Sequence, residues 1–207
     1  RLSAVAMKRI AHLTTWGEDN ARAFRAFSGY DDTPLHVTGN PRIDLLRPEL
    51  RDYYRPEAEA IAERYGPFIL VNTNFSKVNH YYAQLGELKQ AAEGKKPGRI
   101  DPFDAGKGRH KLAIFEHFQK MLPALCKSFP DYTVVLRPHP SESHQVWKEL
   151  AEDLPNLIIT SERNVHPWLM AARVVVANGC TTLVESAILG TAGVNFEPVT
   201  VDDIDAT

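Results

Sequence analysis

Residues 133–142 read Thr-Val-Val-Leu-Arg-Pro-His-Pro-Ser-Glu, and they predict a buried strand that ends abruptly in a polar loop. The first four residues favour a strand of a parallel sheet that is covered on both faces. Pro138 and Pro140 cannot donate to a sheet ladder, so we expect the strand to end here and the loop to be stiff. Arg137 and His139 would then follow the carboxyl end of the strand, where open α/β sheets bind ligands. A fixed cation beside an imidazole suits an anion.

Strand and helix patterns alternate at least five times along the chain, which is the βαβ pattern of a doubly wound parallel sheet. The predicted strands after the first short ones are residues 68–72, 133–136, 156–160, 173–177 and 194–196. The predicted helices between and around them are residues 48–65, 78–93, 111–129, 144–154, 168–172 and 182–189. The predicted fold class is therefore α/β, with a Rossmann-like sheet.

A mobile basic loop is predicted at residues 94–110, which hold five Lys or Arg residues, four glycines and two prolines. Such a loop could clamp a phosphate or contact an anionic membrane surface. The alternative is a solvated surface insertion.

Polar side chains follow three of the predicted strands, and the strand ends of a doubly wound sheet meet along one edge. The residues concerned are Asn74, Arg137, His139, Asn178, Thr181 and Thr182. The last two also open a predicted helix, whose free N–H groups carry a partial positive charge. Guanidinium, imidazole, hydroxyl and amide donors together predict a phosphate site.

Each part of this site has a structural alternative. Arg137 could pair with a local acid such as Glu142 while His139 merely packs. Thr182 and Glu185 have the spacing of a capping box, which would make Thr182 the N-cap of its helix. That box would leave Thr181 and the Asn-Gly turn at 178–179 unexplained.

A second candidate turn lies at residues 38–44, Thr-Gly-Asn-Pro-Arg-Ile-Asp. Gly39 and Asn40 tolerate unusual backbone angles, and Pro41 and Asp44 suit the opening of a helix. The turn either presents backbone N–H groups to an anion or is a plain strand-to-helix connection.

Composition and missing motifs exclude several classes of protein. The net charge of −2 gives no basic field for nucleic acid, and no apolar run approaches the ~20 residues of a membrane span. No GxGxxG, GxxxxGK[ST], GxSxG or HExxH motif is present, which argues against NAD, a P-loop, a serine hydrolase and a zinc protease. We therefore expect no cofactor and no metal.

The motifs resemble those of the nucleotide-binding half of GT-B glycosyltransferases, above all bacterial surface-carbohydrate (capsule and lipopolysaccharide) biosynthesis proteins. Arg-Pro-His-Pro at 137–140 and Asn-Gly-Cys-Thr-Thr-Leu-Val-Glu-Ser at 178–186 carry this resemblance. Residues 38–44 resemble the entry into the second Rossmann domain of such enzymes, and Val-Asn-Thr-Asn-Phe at 71–75 resembles its first strand end. The His-Pro and Thr-Thr pair is similar to the signature of CMP-sialic acid, CMP-Kdo and CDP-glycerol transferases.

The resemblance implies roles for particular residues. Arg137 and His139 would be catalytic, stabilising negative charge on the departing nucleotide phosphate. The residues implied to bind the donor nucleotide and its phosphate are Gly39, Asn40, Arg42, Asn74, Arg137, His139, Asn178, Thr181, Thr182 and Glu185. The implied partners are a nucleotide-sugar donor and a glycan or lipid-linked acceptor, in the cytoplasm or at the inner face of the membrane.

A complete GT-B enzyme has two Rossmann domains, and the first normally supplies the catalytic base. Here residues 1–37 would be a remnant of that acceptor domain or a linker from it, and residues 38–207 the donor-binding domain. We therefore expect a longer protein. Two alternatives stay open: an enzyme like UDP-N-acetylglucosamine 2-epimerase, and a non-catalytic nucleotide-sugar binding module.

Overall fold

The computed structural model describes residues 3–82, 89–90, 93–94, 102–162 and 164–200 of the 207-residue chain. These residues form two compact units, Arg1–Tyr53 and Tyr54–Thr207. The predicted domain boundary at residues 37 and 38 stays a prediction.

The first unit contains a small parallel sheet and short helices. Its elements are α1 (Ala4–Met7), β1 (Leu13–Thr15), α2 (Glu18–Ala26), β2 (Leu35–Val37) and α3 (Pro41–Asp44), followed by a 3-10 turn at Arg51–Tyr54. β1 and β2 pair in parallel, with Leu13 opposite Leu35.

The second unit begins with α4 (Arg55–Tyr65) and β3 (Phe68–Asn72). α5 (Pro102–Ser128), β4 (Thr133–Arg137), α6 (Gln145–Ala151) and β5 (Leu157–Ile159) follow. The described part ends with α7 (Val165–Ala171), β6 (Val174–Ala177), α8 (Thr181–Leu189) and β7 (Ala192–Asn195). Strands and helices thus alternate as the sequence predicts.

The described strands of this unit form one five-stranded parallel sheet in the order β5-β4-β3-β6-β7. The chain moves outward from β3 through β4 to β5, then crosses to the other side of β3 for β6 and β7. The order reverses between β3 and β6, and ligands of open α/β sheets bind outside the strand ends at such a switch point. The doubly wound, Rossmann-like fold class is confirmed.

Alternating side chains of the central strands fill two separate cores, one on each face of the sheet. Ile69, Val71 and Leu136 face one core, which also contains Phe115, Phe118 and Leu122 of α5 and Trp147 of α6. Phe68, Leu70 and Val135 face the other core, with Ile61 of α4 and Trp168 and Leu169 of α7. Burial on both faces explains why these strands read as continuous apolar runs.

Two predicted elements differ in the structure. Residues 102–110, predicted as part of a mobile loop, form the start of α5, so that helix begins nine residues before Lys111. Residues 78–82, predicted as helical, form turns and an isolated antiparallel bridge between His80 and Glu142. Most of the remaining residues of both segments lie outside the described part of the chain.

Candidate functional site

Glu142 joins the loops that follow β3 and β4. Its side chain is 1% exposed, and its Oε1 accepts hydrogen bonds from Thr73 Oγ1 at 2.8 Å, from the Phe75 N–H at 2.8 Å and from the His139 N–H at 3.1 Å. The other carboxylate oxygen lies 3.4 Å from Nε1 of Trp147 in α6. A buried carboxylate needs this many donors to offset its lost hydration. The polar strand-end loops are therefore held in one arrangement.

His139 is exposed at the end of β4, which contradicts the alternative that it merely packs. Its carbonyl accepts from the Glu142 N–H at 2.8 Å, closing a β-turn with Pro140 at the second position, where proline is favoured. The Ser141 N–H donates to Nδ1 of His139 at 3.3 Å, and Ser141 Oγ lies 2.7 Å from the same atom. Because Nδ1 accepts from a backbone N–H, the proton of the neutral ring belongs on Nε2. His139 thus offers an N–H donor at the open edge.

Asn74 and Asn178 meet at the switch point between β3 and β6. Nδ2 of Asn74 donates to the carbonyl of Asn178 at 3.2 Å and to that of Gly179 at 3.4 Å. Nδ2 of Asn178 donates to the carbonyl of Phe196 at 3.1 Å. These donor bonds orient both amides, and both amide oxygens accept from Nζ of Lys111, at 2.6 Å and 3.1 Å. The two strand ends predicted to share a site are brought together.

Thr181 and Thr182 open α8, but neither caps it. The N-cap is Cys180, for which no side-chain cap bond is found among the described residues. Thr181 is exposed, and the hydroxyl of the half-buried Thr182 donates to Sγ of Cys180 at 3.2 Å. The predicted capping box is therefore wrong, because the N-cap lies two residues before Thr182. Both threonines lie in the first turn, where backbone N–H groups lack helical acceptors.

Glu185 lies against α7, beside His166. It is 1% exposed, and its Oε2 lies 3.4 Å from Nε2 of His166 in α7, which is itself 3% exposed. Its implied contact with the donor nucleotide stays a prediction.

Arg137 takes a different direction from the one expected. β4 runs one residue further than its apolar part, so Arg137 pairs in register with Asn72 and its side chain falls on the face that packs against α4 and α7. The guanidinium donates to the carbonyl of Glu162 at 2.8 Å and lies 4.8 Å from the ring centroid of Trp168. Its phosphate contact stays a prediction, and these two contacts compete with it.

Burial dominates the electrostatics of Arg137. Desolvation lowers the pKa of its guanidinium to about 10, and the nearby carboxylates of Glu162 and Glu57 act in the opposite direction. The side chain is therefore still a cation at neutral pH. Glu162 and Trp168 also line a cleft of about 210 Å³ beside α4.

The turn before α3 has the local geometry that its sequence predicts. Gly39 has a φ of 78°, and Asn40 is the N-cap of α3, with its side chain accepting from the Arg42 N–H at 3.1 Å. The predicted contact of Gly39, Asn40 and Arg42 with an anion stays a prediction.

The sequence does not indicate the roles that Glu142 and Lys111 have at this edge. It offers Glu142 only as a local partner of Arg137, and Lys111 only as the start of a predicted helix. A carboxylate flanked by strand-end loops offers a weak signal, and Lys111 offers a clearer one, since it introduces a cation just before the apolar face of a helix. Glu142 bonds to Thr73 across 69 residues, and Lys111 bonds to Asn74 and Asn178 across 37 and 67 residues. No local pattern reveals such distant contacts.

The edge is rich in groups that recognise anions. It combines the imidazole of His139, the ammonium of Lys111 and the first turn of α8. In the part of the chain that the structure describes, no group of three or more His, Cys, Asp or Glu residues could hold a metal ion. Within those same residues, no helix is both long and apolar enough to cross a membrane.

Solved structures with a similar fold include those of the wall teichoic acid polymerase TagF. One has a TM-score of 0.54 at 17% sequence identity, over 98% of this chain and 42% of TagF. A TagF variant gives 0.52 at 16% identity, over 92% and 40% of the two chains, and a variant soaked with CDPG gives 0.51 at 15%, over 98% and 41%.

The likeness to TagF is one of fold, because the identities are low. The chain spans about two fifths of the length of these TagF structures. No protein-family model matches the sequence, and no curated protein matches it significantly.

Proposed function

We propose that this chain is the donor-binding domain of a GT-B glycosyltransferase that uses a CMP- or CDP-linked donor in bacterial surface-polysaccharide biosynthesis. One observation carries the proposal: the polar ends of β3, β4 and β6 are joined by hydrogen bonds at the switch point of a Rossmann-like sheet. That is the place where such sheets bind nucleotides. The likeness in fold to TagF supports the same conclusion.

The chemistry that follows is stabilisation of a leaving group. When an acceptor attacks the donor, the bond to the nucleotide breaks and negative charge develops on the departing phosphate. The Nε2–H of His139 and the hydroxyls and amides at the start of α8 would offset that charge without taking a proton. A group that offsets charge in this way needs no metal.

Cytosine is the proposed base of the nucleotide. The His-Pro and Thr-Thr pair resembles that of cytidine-nucleotide transferases, and one of the similar TagF structures was soaked with CDPG. The proposal further requires a glycan or lipid-linked acceptor and a base from another domain of a longer protein. It places the reaction on the cytoplasmic side, at the inner face of the membrane.

Calorimetric titration of CMP, CDP, UMP and UDP into the 207-residue chain tests the proposal. We expect the cytidine nucleotides to bind more tightly. His139→Ala removes the exposed ring but keeps the backbone N–H that donates to Glu142, so the fold should persist. Loss of one hydrogen bond to a charged group costs roughly 1.5–3 kcal/mol, which is about tenfold or more in affinity.

His117→Ala is the matched control. His117 lies about 9 Å along α5 from Lys111, and its ring bonds to the carbonyl of Ala113 in its own helix. Equal affinities of the wild type and His139→Ala would remove His139 from the site. A preference for uridine nucleotides would favour the epimerase alternative, and tight binding with no turnover by the full-length protein would favour a binding module.

A further inference from the structure

Lys111 is the cation that the structure places at the β3/β6 switch point. Its Nζ bonds to an amide oxygen from each side of that point, Asn74 Oδ1 at 2.6 Å and Asn178 Oδ1 at 3.1 Å. The same atom lies 5.0 Å from the ring centroid of Phe75, so the side chain crosses an apolar surface before it reaches the edge. The ammonium is therefore fixed in position on three sides.

The partners of Lys111 are neutral. Both amides turn their oxygens toward Nζ because their Nδ2 groups already donate to backbone carbonyls. An ammonium has three N–H donors, and the described residues provide acceptors for two of them. One donor and the full positive charge of Lys111 thus stay available to a ligand.

Among the described residues, no carboxylate is found in direct contact with the Lys111 ammonium. Glu142 attracts Lys111 from a distance, but its Oε1 is already surrounded by Thr73, Phe75 and His139. Burial of the half-buried ammonium lowers its pKa, and the attraction of Glu142 and Cys180 only partly opposes this effect. A desolvated cation with neutral partners gains more from binding an anion than an exposed one does.

We propose that Lys111 binds the phosphate of the donor nucleotide at the switch point, between the ends of β3 and β6. This inference rests on the proposed function and names the cation of its phosphate site. The sequence predicted Arg137 for this role, but Arg137 donates to the carbonyl of Glu162 and lies over the ring of Trp168 on the other face of the sheet. Lys111 takes the position at the edge, beside the first turn of α8.

The experiment compares CMP with cytidine, which lacks the phosphate, by calorimetric titration of the full chain. Lys111→Met removes the charge and keeps a stem that can pack on Phe75. We expect this variant to bind CMP about tenfold or more weakly, while its cytidine affinity changes less than about twofold. Lys111→Arg should recover part of the CMP affinity, and CMP binding to the wild type should weaken more with salt than binding to Lys111→Met.

Lys120→Met is the control, because Lys120 lies on the same helix and is exposed. It should leave both affinities unchanged. If Lys111→Met does not fold, Lys111→Gln repeats the test with a neutral group that can still donate to Asn74 and Asn178. An equal loss of CMP and cytidine binding would overturn the inference, since it would mean that Lys111 only holds the two asparagines. Unchanged CMP affinity would also overturn it, whereas a wild type that binds neither ligand would overturn the proposed function.

Discussion

The carboxylate of Glu142 accepts a hydrogen bond from the backbone N–H of Phe75 at 2.8 Å, across 67 residues of sequence. This bond ties the loop after β4 to the loop after β3 at the edge of the sheet. The same oxygen accepts from the His139 N–H, so the position of the exposed imidazole depends on a buried acid three residues away. Glu142 positions the candidate site without being exposed to a ligand.

Glu142→Gln should destabilise the second unit by about 1.5–3 kcal/mol. A glutamine keeps one oxygen for Thr73, Phe75 and His139, but its NH₂ then faces the Nε1–H of Trp147, and the bonds lose their charge assistance. Urea unfolding measures the change. Glu152→Gln, on an exposed position after α6, is the control and should leave the free energy of unfolding unchanged. A neutral effect of Glu142→Gln would mean that the carboxylate does not hold the loops.

Thr182→Ala should leave the free energy of unfolding within about 0.5 kcal/mol of the wild type, because Cys180 and not Thr182 is the N-cap of α8. Its CMP affinity should fall about tenfold or more if the hydroxyl binds the phosphate. Calorimetry and urea unfolding separate the two effects.

Thr191→Ala is the matched threonine control for this test. The Thr191 hydroxyl donates to the carbonyl of Leu169 at 2.8 Å, so its loss should lower stability by about 1 kcal/mol and leave CMP binding unchanged. A destabilisation of about 1 kcal/mol or more by Thr182→Ala would show that Thr182 does cap the helix.

The contribution of Lys111 to CMP binding should decline as the pH rises. This decline should begin at a lower pH than it would for an exposed lysine. Burial lowers the pKa of Lys111, and Lys77 adds to that effect, while Glu142 and Cys180 oppose it. Only the protonated ammonium attracts phosphate, and the second phosphate pKa of about 6 keeps CMP fully charged above neutral pH. The ratio of wild-type to Lys111→Met affinity should therefore be largest near pH 7 and approach one as the ammonium loses its proton.

Titrations at several pH values between 7 and 10 measure this ratio. The effects of the other ionising groups on CMP affinity are common to both proteins and cancel in the ratio. The same series on a Cys180→Ser background repeats the measurement without the Cys180 thiol, which opposes the lowering of the Lys111 pKa. A ratio that is constant across the range would contradict a lowered pKa, and a ratio that rises with pH would contradict the charge-based role of Lys111.

Gly190→Ala should destabilise the second unit by about 1–2 kcal/mol. Gly190 ends α8 with a φ of 83°, and a Cβ there would meet no described atom within 4 Å, so the cost is backbone strain alone. Gly190→Asn should cost less, because asparagine tolerates this conformation. Urea unfolding of both variants checks the order, and CMP affinity should stay unchanged, since Thr181 lies at the opposite end of the helix.

Local sequence was enough to predict the strands and most of the helices of the second unit. Short apolar runs predicted β3 to β6, and the predicted helix 182–189 ends at the same residue as α8, just before Gly190. The start of α5 was missed, because the glycines and prolines of residues 94–110 indicate a loop when they are considered alone. Helix formation at residues 102–110 depends on continuity with the well-packed helix that follows.

The direction of a side chain at a strand end was not predictable from its sequence position. The prolines after Arg137 predict that it lies beyond β4, where it would face a ligand, but β4 continues by one residue. Since side chains alternate between the faces of a strand, that residue turned the guanidinium toward α4 and α7. The exposed position of His139, two residues later, is consistent with the loop that its flanking prolines predicted.

By itself the sequence determined the order of elements, the Rossmann-like class of the sheet and the polar residues at its strand ends, because propensity and periodicity act between near neighbours. Only the tertiary structure decided which of those residues meet. Lys111 reaches Asn74 and Asn178 across 37 and 67 residues, and Glu142 reaches Thr73 across 69. Such contacts form only after the sheet has brought distant strand ends to one edge, so the cation at the switch point is determined by packing and not by any local pattern.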